Sequence, residues 1–181
     1  LSDFKPAVEE LIRNYEGGFQ CRPDDPGNWT GGIDPQTKHG IGELKGTKYG
    51  ISAHSFPDVD IKNLTLEAAE ALYERDWWKY GDINDQAIAN KMLSLAVNWE
   101  RFGGHGPAVT VLQKAIVNCS NIPVVIDGEL GPRTLTACNN CDPLKLLREI
   151  RQQALLHYQE IERNHPEEHA WFKGWEERAL A

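Results

Sequence analysis

The 181-residue chain sets 27 Asp and Glu against 19 Lys and Arg, a formal net charge of −8. That balance argues against a nucleic-acid partner, which needs a basic surface, and against electrostatic capture by an anionic membrane or wall. Hydrophobic residues at 40% and charged residues at 25% describe one large soluble domain or two small lobes, and no apolar run approaches the ~20 residues that cross a bilayer. The sequence opens at Leu1 without a basic-then-apolar leader, which is only weak evidence about compartment.

In chain order, Phe4, Val8, Leu11, Ile12, Tyr15 and Phe19 recur at three- and four-residue intervals, one buried helical face. Ser2 or Asp3 can cap this first helix, Pro6 falls in its first turn, and Gly17-Gly18 should end it. Glu16 is then the last helical residue, about 40° around the axis from Ile12, at the edge of the apolar face. The negative end of the helix dipole and partial burial both raise the pKa of a carboxyl there, as a proton donor near neutral pH requires.

From Cys21 to Pro57 the chain is dense in Gly, Pro, Asp, Asn and Thr, a long loop with room for an irregular hairpin. Thr65 then caps a helix whose face is Leu66, Ala69, Leu72, Tyr73 and Trp77. Asn84 or Asp85 caps the next, with Ile88, Met92, Leu95 and Trp99 on one face and Gly103-Gly104 at its end. Pro107, Pro132, Pro143 and Pro166 each sit where a helix should begin, and Ile122–Ile126 reads as extended. The sum is a mainly α protein of seven helices around a loop-rich insert, divided near residue 85 into lobes 1–85 and 86–181.

Cys21, Cys119, Cys138 and Cys141 lack the second ligand pair of a zinc site. A disulfide from Cys119 to the 138/141 pair and four free thiols remain equal alternatives. The histidines form no zinc-protease motif, Ser52 and Ser55 lack a nucleophile elbow, and no phosphate-cradling glycine motif is present. No cofactor and no metal are expected.

Two groups of polar and aromatic residues suggest chemistry. Glu16, the acids of Asp24-Asp25-Pro26-Gly27 and the Thr47 hydroxyl form the first. A protonated carboxyl facing an ionised one is the pair that cleaves glycosidic bonds, and Asp25, in a polar tight turn, is the one expected to stay ionised. Asp-Pro-Gly is equally a common turn signature. The second group is Trp29, Tyr49, Trp77 and Trp78, whose rings could stack on sugar faces or be half-buried packing.

These strings, Glu16-Gly17-Gly18-Phe19, Asp25-Pro26-Gly27 and Gly46-Thr47-Lys48-Tyr49-Gly50-Ile51-Ser52, resemble the glycoside hydrolase family 108 N-acetylmuramidases of phage endolysins and bacterial secretion activator proteins. Ala96-Val97-Asn98, Leu112-Gln113, Asp127-Gly128-x-x-Gly131-x-x-Thr134 and Gly174-Trp175 with Arg178 resemble that family's predicted peptidoglycan-binding half. The resemblance implies a lysozyme-like fold with an active-site insert, Glu16 as catalytic acid, Asp25 as second carboxylate and Thr47 as third group. Tyr49, Trp29, Trp77 and Asn98 become candidate substrate contacts. Two departures stand out. The long loop between Asp25 and Thr47 lets Thr30 compete for the third role, and Ser94 stands where an acid is expected before Ala-Val-Asn.

The function this implies is hydrolysis of the β-1,4 bond between N-acetylmuramic acid and N-acetylglucosamine. The expected partner is the peptidoglycan glycan strand, met as a monomer in the periplasm or cell wall. The rivals are a lytic transglycosylase, which releases a 1,6-anhydro sugar, and a non-catalytic wall-binding or secretion-assisting module.

Overall fold

The computed structural model describes residues 1–15, 17–120 and 122–181; Glu16 and Asn121 lie outside the described residues, as do the side chains of Tyr15, Arg101, Glu167, Glu168 and Ala170. Among the described residues the chain forms seven α-helices: α1 (Phe4–Tyr15), α2 (Leu66–Asp76), α3 (Gln86–Asn98), α4 (His105–Cys119), α5 (Pro132–Asn140), α6 (Pro143–Asn164) and α7 (Phe172–Leu180). One small antiparallel sheet pairs β1 (Thr47–Lys48) with β2 (Ile51–Ser52). The fold is mainly α, as the periodicity predicts.

Packing divides the chain into residues 8–76 and residues 1–7 with 77–181. This differs from the 1–85 and 86–181 lobes anticipated from sequence, for a local reason. The Ser2 N–H donates to the Gly81 carbonyl at 3.0 Å, its hydroxyl to the Ile83 carbonyl at 2.6 Å, and Asp3 and Gln86 exchange two bonds at 2.8 Å. The Ser2 hydroxyl is thereby spent on Ile83 rather than on capping α1.

In the 8–76 unit, Val8 and Leu11 of α1 are buried, as are Ile51, Ala53, Ile61, Leu64, Ala69 and Tyr73. Thr65 caps α2 through Ala68 at 3.2 Å. Leu66, placed on the apolar face by its spacing, is exposed, while Glu70 is buried. The insert folds back on itself through nested antiparallel bridges, Gln20 with Thr47, Trp29 with Leu44 and Ile33 with Gly40. Its tip is a turn in which the Asp34 carboxylate accepts the Gln36 and Thr37 N–H groups, each at 2.8 Å. Those two bonds hold the Asp34 carboxyl below the usual carboxylate range, Thr37 contributing most.

Gly40 is where the two arms come closest to a ring. A Cβ there would lie 2.0 Å from two indole carbons of Trp29. Gly40→Ala is therefore expected to cost about 1–3 kcal/mol through overpacking, read as a lower urea midpoint with altered tryptophan fluorescence.

In the other unit, α3 is buried continuously from Ile88 to Ala96, the pattern of a central helix. Asp85 is its cap, accepting from the Ile88 N–H at 3.0 Å. α3 stops at Asn98, short of the glycine pair, and a 3-10 turn over Glu100–Phe102 carries the chain to Gly103, at φ 103°. α4 starts two residues before Pro107, at His105. Residues 122–126 pair with no strand among the described residues, and Pro166–Trp171 is a 3-10 helix that precedes α7. Trp99 at the C-terminal cap of α3, Tyr158 of α6 and Trp175 of α7 pack through edge-to-face and stacked rings at 5.1 and 5.5 Å.

Gln113 of α4, 0% exposed, organises the loop before α5. Its amide oxygen accepts from the Asp127 and Gly128 N–H groups at 3.0 and 2.9 Å. Its amide nitrogen donates to the Asp127 carboxylate at 2.7 Å, the Glu129 carbonyl at 3.1 Å and the Thr134 hydroxyl at 3.2 Å. The strings Leu112-Gln113 and Asp127-Gly128 thus meet in space. Gln113→Ala leaves the Asp127 and Gly128 N–H groups without a partner, and an expected loss of about 1–3 kcal/mol follows. Hydrogen exchange at the Asp127 and Gly128 amides should accelerate with it.

Candidate active site

The tight β1–β2 turn is made by Tyr49 and Gly50, at φ 52° and 75°, two positive values in succession as a two-residue hairpin requires. For a tyrosine this backbone costs roughly 1–2 kcal/mol. Two bonds hold it: the Tyr49 N–H donates to the Gly17 carbonyl at 3.0 Å, and its carbonyl accepts the Tyr73 hydroxyl at 2.9 Å. The hairpin is thereby tied on one side to the glycine pair after α1 and on the other to α2. Glu16 itself lies outside the described residues.

Asp25 closes the turn before Pro26–Asn28, one carboxylate oxygen accepting the Gly27 N–H at 2.9 Å. The other accepts the Gln20 side-chain amide at 2.8 Å. That amide also reaches the Asn28 side-chain oxygen, at 3.1 Å, and the Thr47 hydroxyl donates to the same oxygen at 2.8 Å. Asn28 returns a bond to the Gln20 amide oxygen at 2.7 Å and another to the Arg22 carbonyl at 2.9 Å. The network brings Asp25 and Thr47 together through two amides that composition and spacing do not single out. Asn28 is 0% exposed, and the bridge between Gln20 and Thr47 fixes both arms beneath it.

Asp24 turns the other way. It forms a two-bond pair with Arg22 at 2.5 and 3.1 Å on the exposed surface, and that guanidinium holds its carboxyl below the usual range. Thr30, the competitor of Thr47, accepts the Glu43 N–H at 2.9 Å within the insert.

The aromatic candidates differ in what they leave free. Tyr49 is half-buried with the Lys48 ammonium 5.3 Å above its ring. Trp29 has its indole N–H bound to the Pro23 carbonyl at 2.9 Å and Gly40 against its ring. Trp77 and Asn98 belong to the other packing unit. Trp77 is only 7% exposed, and the Asn98 amide oxygen accepts the Tyr158 hydroxyl at 2.7 Å. Trp78 packs edge-on against Phe4 and Tyr80.

All four cysteines are free thiols. Burial pushes the Cys138 thiol up to about 12. Among the described residues no three His, Cys, Asp or Glu side chains are placed to hold a metal ion, and no helix is long and apolar enough to cross a membrane.

The glycosyl hydrolase 108 model matches residues 10–99, the stretch that holds this network, and a predicted peptidoglycan domain matches residues 107–180. The chain belongs to the glycosyl hydrolase 108 family. It is similar to the solved structure of Brucella abortus SagA, at 21% identity over 98% of this chain and 93% of that one, with a TM-score of 0.63. At that identity the likeness speaks for the fold. No curated protein matches the sequence. For a glycosyl hydrolase 108 chain that also carries a predicted peptidoglycan domain, the supported activity is peptidoglycan hydrolysis at the cell wall.

Proposed function

We propose that this glycosyl hydrolase 108 chain is a muramidase that cleaves the β-1,4 bond between N-acetylmuramic acid and N-acetylglucosamine. The observation that carries the reading is the bonded set Gln20, Asp25, Asn28 and Thr47 inside the hydrolase segment. Glu16 protonates the glycosidic oxygen. Asp25 activates water or stabilises the oxocarbenium-like transition state, and Thr47 positions that water. Tyr49 and the uncovered side of Trp29 are the sugar contacts of the insert. Trp77 and Asn98 are the candidate sugar contacts of the other packing unit, Asn98 through its amide N–H groups. Catalysis is assigned to the hydrolase segment within residues 1–85 and wall retention to residues 86–181. The chain acts as a monomer, without a cofactor, on peptidoglycan in the periplasm or wall.

The test is digestion of purified peptidoglycan with mass spectrometry of the products. New reducing ends support hydrolysis; 1,6-anhydro ends assign a lytic transglycosylase, and sacculus binding without any release assigns a wall-binding module. Asp25→Ala separates the two enzymatic readings further. A muramidase is expected to lose about 10²-fold or more, whereas a transglycosylase with a single acid is expected to keep nearly full activity.

A further inference from the structure

A cavity of about 580 Å³ opens in the 8–76 unit and includes neither Asp25 nor Thr47 in its lining. It lies in the volume range of small-ligand sites. Its walls include Phe19, Cys21, Lys45, Asp58, Asp60 and Lys62. Side chains alternate along an extended segment, and residues 19–21 follow this rule. Gln20 turns to Asp25 and Asn28, while Phe19 and Cys21 line the cavity.

The charged groups divide into those already engaged and those left over. The Lys45 ammonium donates to the Pro57 carbonyl at 2.6 Å and pairs with Glu43 at 3.4 Å. Asp60 accepts from the Asn63 side chain at 2.9 Å, and that bond, ahead of the nearby Lys45 and Lys62 charges, keeps its carboxyl below the usual range. Among the described residues the Lys62 ammonium and the Asp58 carboxylate have no hydrogen bond or ion pair. Phe19 is 43% exposed, a large ring facing water. One uncovered aromatic ring with one available cation and one available anion suits a ligand that joins a sugar to a zwitterionic peptide.

We propose that this cavity binds a muropeptide, with the sugar ring on Phe19, a stem carboxylate at Lys62 and a stem ammonium at Asp58. The site deepens the peptidoglycan reading, on which it rests, by assigning recognition of the stem peptide to the hydrolase segment. It provides preference for glycan strands that carry their peptides.

Cys21 supplies the readout. Its alkylation by iodoacetamide in the intact chain is followed by mass spectrometry of the Cys21 peptide, with Cys119 and Cys141 as internal controls. The probe is N-acetylmuramyl-L-alanyl-D-isoglutaminyl-L-lysine. At a probe concentration ten times its dissociation constant, Cys21 alkylation is expected to slow about tenfold while the controls are unchanged. Lys62→Met and Phe19→Ala, both at exposed side chains, are each expected to weaken protection roughly three- to tenfold.

Absence of protection at any soluble probe concentration overturns the proposal, as does equal protection in both variants. Equal protection by chitobiose, which has no peptide, also overturns it. Protection of Cys21 in a chain that does not cleave sacculi would fault the muramidase reading alone. Cleavage without protection would fault this site alone.

Discussion

Glu16→Gln is expected to lower reducing-end release from purified sacculi by about 10²–10⁴-fold, the usual worth of a general acid. The change keeps side-chain length and hydrogen-bonding capacity but removes the transferable proton. Far-UV circular dichroism and the urea midpoint should match the wild type, because the exchange is nearly isosteric. In the sequence this carboxyl stands directly after the last turn of α1 and directly before the glycine whose carbonyl receives the Tyr49 N–H. Near wild-type release by the variant would remove Glu16 from the mechanism. A lost activity with a shifted midpoint would instead assign it a structural part.

Asn28→Ala is expected to destabilise the chain by about 1–3 kcal/mol, the cost of leaving a buried polar group without its partner. The truncated amide removes four hydrogen bonds and takes the acceptor of the Thr47 hydroxyl away, while the Gln20 amide oxygen keeps the Arg22 N–H at 3.2 Å and the Arg22 carbonyl keeps the Asp25 N–H at 3.3 Å. Activity should fall even where the variant is fully folded, because Asp25 then keeps the Gly27 bond and a Gln20 whose side chain is braced by the Arg22 N–H alone. Asn28→Asp keeps the oxygen that receives Thr47 but loses both donated bonds and adds a negative charge near Asp25. Its expected stability lies between the two. A loss below about 1 kcal/mol for Asn28→Ala in urea unfolding would contradict the role given to this amide.

Helix positions were legible because their signals are local. Asp85, Pro132 and Pro143 mark starts that need only the next turn to be read, and Ile88, Met92, Leu95 and Trp99 repeat at helical spacing. Asp25 and Thr47 stood out by chemistry and by motif. Gln20 and Asn28 did not, since an amide in a turn-rich stretch has no period and its partners arrive from distant parts of the chain. Gln20 does lie in alternation with the apolar Phe19, and that is the one signal that could have turned attention to it. Leu66 misled because spacing reports an apolar face without saying whether another element covers it. The cover on Trp29 was invisible for a similar reason: it depends on Gly40 having no side chain at a contact made across the insert.

The rungs Gln20–Thr47, Trp29–Leu44 and Ile33–Gly40 are nested like brackets. Everything enclosed by Trp29–Leu44 can therefore grow or shrink without moving the outermost pair, which carries the Thr47 hydroxyl. Sequence length between Asp25 and Thr47 is, on this geometry, a poor guide to the distance between them. Relatives with shorter or longer excursions in that interval can keep the same bonded set of Gln20, Asp25, Asn28 and Thr47, and evolution is free to decorate the tip.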